Sequence, residues 1–238
     1  MDFDLLSTYG PRLLSGTLIT LQLVFTAVIL GFVLALPLAL ARNSAIRSLS
    51  YLARGYIIFF RGTPLLGQLF LIYYGTGELR LQLIDLGLWW FFRDAWLSAL
   101  LAFTMNTTAY QAEILRGALL SLPRGQAEAG AALGLSQATV LFRVLLPQAM
   151  VVALRPLGNE LILTLKASAL ASVITVPELM QATKLAFSRT FDMQVYLWAA
   201  ALYLFLVEVI RRGWMILERV LTRHMHHTTA ILSARRIQ

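Results

Sequence analysis

The chain has 238 residues, of which 58% are hydrophobic and 13% charged, and it contains no cysteine. A soluble domain cannot bury that much apolar surface, so the composition implies a polytopic membrane protein and leaves no disulfide or thiolate metal site. The formal net charge of +8 would suit a nucleic-acid binder, but the basic residues sort along the chain by membrane side and do not gather on one face.

The first apolar run, residues 13–41, carries no charge. Asp2 and Asp4 precede it, and it exceeds the roughly 7–15 residues of a signal-peptide core, so it is read as an uncleaved span over 15–41. Four further spans of about 20 residues follow, at 52–75, 96–119, 148–171 (interrupted by Pro156) and 194–210. The prediction is an all-α integral membrane protein of five transmembrane helices. It forms one domain over 1–238 with a core of about 15–212, and no repeat or linker divides it. With the N-terminus outside, the inner segments hold Arg42, Arg47, Arg54, Arg116, Arg124, Arg143 and the arginines from Arg211 onward. The outer ones hold Arg12, Arg80, Arg93, Lys184 and Arg189. That inner excess of about two to one predicts an external N-terminus and a cytoplasmic C-terminus, with a basic tail over 213–238. The outer loop carries Trp89, Trp90, Phe91, Phe92 and Trp96, an interfacial aromatic belt.

Span two contains Arg61-Gly62-Thr63-Pro64. Arginine at bilayer depth must pair, snorkel or face a cavity, and Gly62 and Pro64 loosen the helix so that neighbouring helices must satisfy the freed carbonyls. Two readings stand: a snorkelling arginine beside a proline kink, or a gating element. Residues 128–147, within a coupling segment taken as 124–147, are the most water-compatible long stretch. They have a helix-forming run over 128–133, a stop at Gly134, a second helix capped by Ser136, and Pro147 where that helix turns toward lipid. A bent elbow between two spans suits docking of a cytosolic partner. Span four holds Arg155, Asn159, Glu160 and Lys166, which at membrane depth are either functional groups or satisfied structural pairs. Asn159 and Lys166, seven apart, share a helix face about 10 Å from one another, whereas Glu160 points about 100° away. Arg155 and Glu160 are poorly placed to pair along one helix, so their partners are sought on other helices or on a zwitterionic ligand. Glu113 and Glu208 are weaker candidates.

Several chemistries lack their residues. His224, His226 and His227 have no acidic or cysteine partner near them in sequence, so no metal site is expected. The only lysines, Lys166 and Lys184, follow Leu165 and Thr183, so the Gly-Lys pair of a phosphate loop is absent. No catalytic site and no cofactor are expected, and any ATP would be bound by partner subunits.

The elbow, with Glu128, Ala129, Gly130, Gly134 and Leu146-Pro147, resembles the cytoplasmic signature of permease subunits of bacterial ABC importers. Here Gly130 stands where that family usually has alanine, a change expected to loosen the first turn by about 1 kcal/mol. The segments 54–75, 106–126 and 158–172 are similar to the polar amino-acid branch, within the binding-protein-dependent type-1 permease family. Among its subfamilies the chain looks most like the arginine and histidine/lysine/arginine/ornithine permeases, with their opine-transporting relatives. Span four departs from the branch's common Lys-Asp-Thr-Ser-Leu, reading Lys166-Ala-Ser-Ala-Leu170.

The resemblance implies an inner-membrane permease that pairs with a homologous or identical permease subunit. A periplasmic solute-binding protein would feed it, and two cytosolic ATP-binding subunits would each grip one elbow. Glu128, Ala129, Gly134, Leu146 and Pro147 would form the coupling segment, and ATP-driven closure would switch the bundle from inward- to outward-facing. For the substrate pathway, Glu160 is expected to bind an amino group and Asn159 and Lys166 to help with the carboxylate, with Arg61 and Glu113 as further candidates. The expected substrates are basic amino acids or opines. A permease for another polar amino acid such as glutamine or glutamate is the alternative, and a channel or secondary transporter is the alternative of a different class.

Overall fold

Helix α1 (Phe3–Arg42) runs 40 residues without a break, about 60 Å at the α-helical rise. The computed structural model describes residues 3–222; the expected His224, His226 and His227 and the rest of the tail beyond 222 lie outside the described residues. One stripe of α1 is buried, through Leu13, Thr17, Thr20, Leu23, Val24, Ala27, Ala35 and Ala39. The other faces expose Leu14, Leu18, Ile29, Val33 and Leu34. A helix that buries small residues and exposes large apolar ones is built for lipid: without water, helices associate through close backbone packing.

After α1 come α2 (Arg47–Gly62) and α3 (Leu65–Glu78), then the short turns α4 (Arg80–Asp85) and α5 (Trp89–Phe92). Next are α6 (Ala95–Leu120), α7 (Gly125–Ala132), α8 (Gln137–Ile174), α9 (Leu179–Thr190) and α10 (Gln194–Thr222). Helix α6 is the hub: it packs against α1, α2, α3 and α8, and its buried residues include Ala99, Ala102, Phe103, Thr107, Gln111, Ala112 and Leu115.

Among the described residues, the stretch Ser7–Arg42 and helix α8 are each long and apolar enough to cross a membrane. The pair α2 and α3 supplies a third candidate if taken as one broken span. Helices α6 and α10, with 26 and 29 residues, also have the length for a crossing. Apolar content alone does not single them out, because α6 turns polar side chains inward and α10 carries Glu208, Arg211 and Arg212.

Three spans differ from expectation. Span two is not a loosened helix but two helices bent by 104°, with Thr63 and Pro64 both extended. Span four begins at Gln137, continuous with the second helix of the elbow, and neither Pro147 nor Pro156 interrupts it. Residues 141–145 form a wide π-turn just before Pro147, where the proline lacks an amide donor and its ring needs room. Near Pro156, α8 is held from the side by α10, where Trp214 Nε1 donates to the Leu154 carbonyl at 2.9 Å. Span five runs on to Thr222, so residues 213–222 of the expected tail are the last turns of α10.

Helix α9 is pinned by Glu178, which is fully buried. Its carboxylate caps α9 by accepting from the Met180 and Gln181 amides at 2.9 and 2.8 Å, and it also accepts from the Tyr203 hydroxyl of α10 at 3.0 Å. Thr20 of α1 accepts from the Leu179 amide at 3.1 Å. One carboxylate thus joins three helices. Glu178→Ala is expected to destabilise the purified protein by at least about 1–2 kcal/mol, the loss of a helix cap together with an orphaned phenol. Thermal unfolding in detergent reads the loss, and an unshifted transition would contradict this role.

Candidate functional site

Two places bring together residues singled out in the sequence: the elbow and a cleft inside the helix bundle. In the elbow, α7 ends at Ala132 with Leu133 as its cap, and Gly134 follows at φ +74°, a left-handed conformation natural to glycine. The Gly134 amide donates to Ala131 O and the Leu135 amide to Gly130 O, both at 3.0 Å, a Schellman closure that satisfies the last carbonyls of α7. Ser136 then caps α8, its Oγ accepting from the Thr139 amide at 3.2 Å. Gln126 of α7 and Gln148 of α8 exchange amide hydrogen bonds at 2.8 and 2.9 Å, tying the base of the elbow shut.

Gly130 does not loosen this turn. It is buried where α7 crosses α8, and a Cβ there would lie 2.5 Å from Val140 Cγ2. The missing methyl group is what lets the two helices touch. The result is a rigid knob whose outer surface presents Glu128, Ala129, Leu133, Gly134 and Leu135, all exposed. Leu146 and Pro147 stand apart from that tip, ten or more residues along α8 and about 15 Å away, with Leu146 half-buried.

The cleft, of about 360 Å³, lies between the α2–α3 break (Thr63, Pro64), helix α6 (Phe103, Asn106, Tyr110) and α8 (Glu160). The break exposes carbonyls that a helix would have used. The Gln68 amide donates to Phe60 O, Thr63 O and Thr63 Oγ1 at 3.0, 3.1 and 2.8 Å. The Asn106 amide donates to Phe60 O and Gln68 Oε1, both at 3.0 Å. Across the cleft, Glu160 Oε1 accepts from the Thr107 hydroxyl at 3.0 Å and the Thr164 hydroxyl at 3.4 Å. Gln111 Nε2 donates to Thr107 Oγ1 at 3.0 Å and to Val28 O of α1 at 3.1 Å. Glu160 is therefore held in a chain of hydrogen bonds across α8, α6 and α1, and it is the one carboxylate among the lining residues.

The other expected pathway residues divide. Arg61, at the end of α2, lies 5.1 Å from the centre of the Tyr110 ring, so a cation stands over an aromatic wall of the cleft. Asn159 and Lys166 do not line the cleft; both are exposed on another face of α8, because the helical rotation that brings Glu160 inward turns them away. Glu113 is paired with Arg116 of the same helix at 2.5 Å and is also outside the cleft. Arg155 finds its partner on another helix, as expected, in Glu218 of α10. Sequence reasoning missed Thr107, Thr164, Asn106 and Gln68. The signal available was a polar stripe at helical spacing, residues 104, 107, 108 and 111, inside an otherwise apolar helix.

Comparison with known proteins matches residues 27–219 to the family described as the binding-protein-dependent transport system inner membrane component. The chain is 42% identical over 226 residues to the nopaline transport system permease protein of Agrobacterium fabrum, covering 94% of each. It is 36% identical over 211 residues to the arginine ABC transporter permease protein of Escherichia coli, covering 89% of this chain and 95% of that one. Among solved structures, an amino acid ABC transporter with histidines superposes with a TM-score of 0.80 at 35% identity, covering 92% of this chain and 98% of that chain.

The packing of Gly130 on Val140 is open to a paired test. Gly130→Ala is expected to spread α7 from α8 and lower amide-exchange protection over residues 125–140, an overpacking cost of about 1–3 kcal/mol. Val140→Ala in the same chain removes the colliding methyl groups and is expected to restore protection. Equal protection in wild type and the single variant would remove the contact from the account.

Proposed function

This chain belongs to the binding-protein-dependent transport system inner membrane component family, and from that membership we propose that its elbow is the point where ATP hydrolysis on partner subunits drives import of a cationic amino acid or an opine derived from one. The protein is an inner-membrane permease subunit of an ABC importer, with no ATPase site of its own. Its family works with ATP-binding subunits and a solute-binding protein. In our reading two ATP-binding subunits serve a pair of permeases, this one and a homologous or identical copy, and the ATP is bound wholly by those partners. The binding-protein-dependent architecture favours this reading over a channel or secondary transporter.

The observation that carries the coupling role is the closed, exposed elbow. A knob braced by a Schellman closure, a serine cap and a paired glutamine clasp transmits a push without bending. Glu128, Ala129 and Gly134 at its tip would meet the ATPase. Leu146 and Pro147 would act below them, at the wide turn where the elbow joins the membrane helix. Inside the bundle, Glu160 would take the cationic end of the substrate. Arg61, held over Tyr110, would take its carboxylate, in place of Asn159 and Lys166. The opposed charges suit the ammonium and carboxylate of an amino acid. The cationic or opine class rests on the relatives named for nopaline and arginine transport.

Uptake by the complete assembly in proteoliposomes is expected to require ATP, and uptake driven by an ion gradient without ATP would overturn the reading. Gly134→Asp is expected to reduce ATP-driven uptake to background while the protein still inserts, because the new side chain stands on the docking tip. Undiminished uptake would separate the elbow from the ATPase. Glu160→Gln is expected to lower arginine uptake about tenfold, the loss of one charge-assisted contact, and to lower uptake of neutral polar analogues less. Equal losses would make Glu160 a structural residue and favour a neutral substrate such as glutamine.

A further inference from the structure

Arg42, Ser44, Arg47, Ser50, Tyr51 and Arg54 line a depression of about 230 Å³ at the junction of α1 and α2. No acidic side chain lines it. Ser50 Oγ donates to the Arg42 carbonyl at 2.9 Å, and Arg42 Nη1 reaches Ser50 Oγ at 3.5 Å, so the end of α1 is fastened to the first turns of α2. The ion pairs among the described residues use Arg116, Arg155, Arg211 and Arg212, and none uses the arginines of the depression. Helix α2 also starts without an acidic residue or a side-chain cap in its first turn, so its dipole adds to the positive potential there.

The position matters as much as the charge. The Ser7–Arg42 stretch is apolar enough to cross a membrane, which puts Arg42 at the level of the lipid headgroups. On α2, Arg47, Tyr51, Arg54 and Ile58 follow one another at helical spacing along one face. The face is basic at the end by the depression and apolar beyond it, where Ile58 and the adjacent Phe59 are exposed at 60% and 49%. A soluble anion would have no use for that apolar continuation. A phospholipid would use both parts.

We propose that this depression binds the phosphate of an anionic membrane phospholipid, with Arg42, Arg47 and Arg54 around the headgroup and an acyl chain lying along Ile58 and Phe59. A basic pocket between membrane helices at headgroup depth is the arrangement that selects anionic lipid over the zwitterionic bulk. Because the lipid would bridge the end of α1 and the start of α2, it would steady the helix that leads to the break at Thr63–Pro64.

The full-length chain in phosphatidylcholine nanodiscs, doped with spin-labelled phosphatidylglycerol or spin-labelled phosphatidylcholine, provides the test. Wild type is expected to immobilise phosphatidylglycerol about tenfold more strongly than phosphatidylcholine, a difference of about 1.4 kcal/mol. Arg47→Gln/Arg54→Gln is expected to erase most of that preference. Arg47→Lys/Arg54→Lys is expected to keep part of it. Arg80→Gln/Arg93→Gln, which removes the same charge elsewhere, is expected to leave it unchanged, and circular dichroism reports that each variant is folded. Absence of preference in wild type, or equal loss in both glutamine pairs, would overturn the site. Displacement by inorganic phosphate as readily as by unlabelled phosphatidylglycerol would make it a soluble-phosphate site and overturn the lipid. Retained lipid preference in Arg47→Gln/Arg54→Gln would likewise overturn the site.

Discussion

Inside a bilayer no water is available to a free carbonyl, and the break between α2 and α3 is where this protein meets that constraint most severely. A bend of 104° at membrane depth strips Phe60 and Thr63 of helical partners. The Gln68 and Asn106 side chains take up those carbonyls, and Asn106 belongs to a different helix. Irregular backbone is tolerated in lipid only when it is buried in protein or lines a cavity, and here it does both. The cleft exists because the chain breaks there, and the break survives because α6 lends it an amide. Helix α6 therefore has to be polar on one side, and it gathers the Thr107–Glu160 and Gln111–Val28 contacts on the same stripe.

In the proposed role the elbow would meet a different problem, that of carrying force between a soluble machine and a membrane bundle. A single helix entering the cytoplasm would bend under load. Two short helices closed on one another, with Gly130 allowing Val140 to press directly on the backbone, form a block instead. The second of them is not separate from the bundle: it is the beginning of α8, the helix that carries Glu160. A displacement of the tip would thus be delivered along one continuous helix to the residue we assign to the substrate, past a wide turn at 141–145 able to absorb part of it.

The same economy of polar groups explains how α9 is placed. Glu178 is fully buried, yet every direction it faces offers a donor: two amides of its own helix, a phenol of α10 and the Thr20 hydroxyl of α1 at 3.5 Å. A buried carboxylate with that many partners works as a fastener between helices that would otherwise meet only through small apolar contacts.

The membrane nature, the family and the elbow were legible in the chain itself. Apolar content, an uninterrupted run over 13–41, the stop at Gly134 and the Ser136 cap are local properties, and local backbone preferences decide them. So was the need for carbonyl partners near Pro64, since a missing amide is a covalent fact. The identity of those partners was not, because Gln68 and Asn106 meet only after α6 docks on the break. Rotation of α8 about its axis was hidden for the same reason. Glu160, Asn159 and Lys166 are equal candidates along the sequence, and packing against α1, α6 and α10 alone turned the first inward and left the other two outside. Gly130 looked like a weak point while its neighbours were those in sequence, and became a contact once Val140, ten residues on, lay against it.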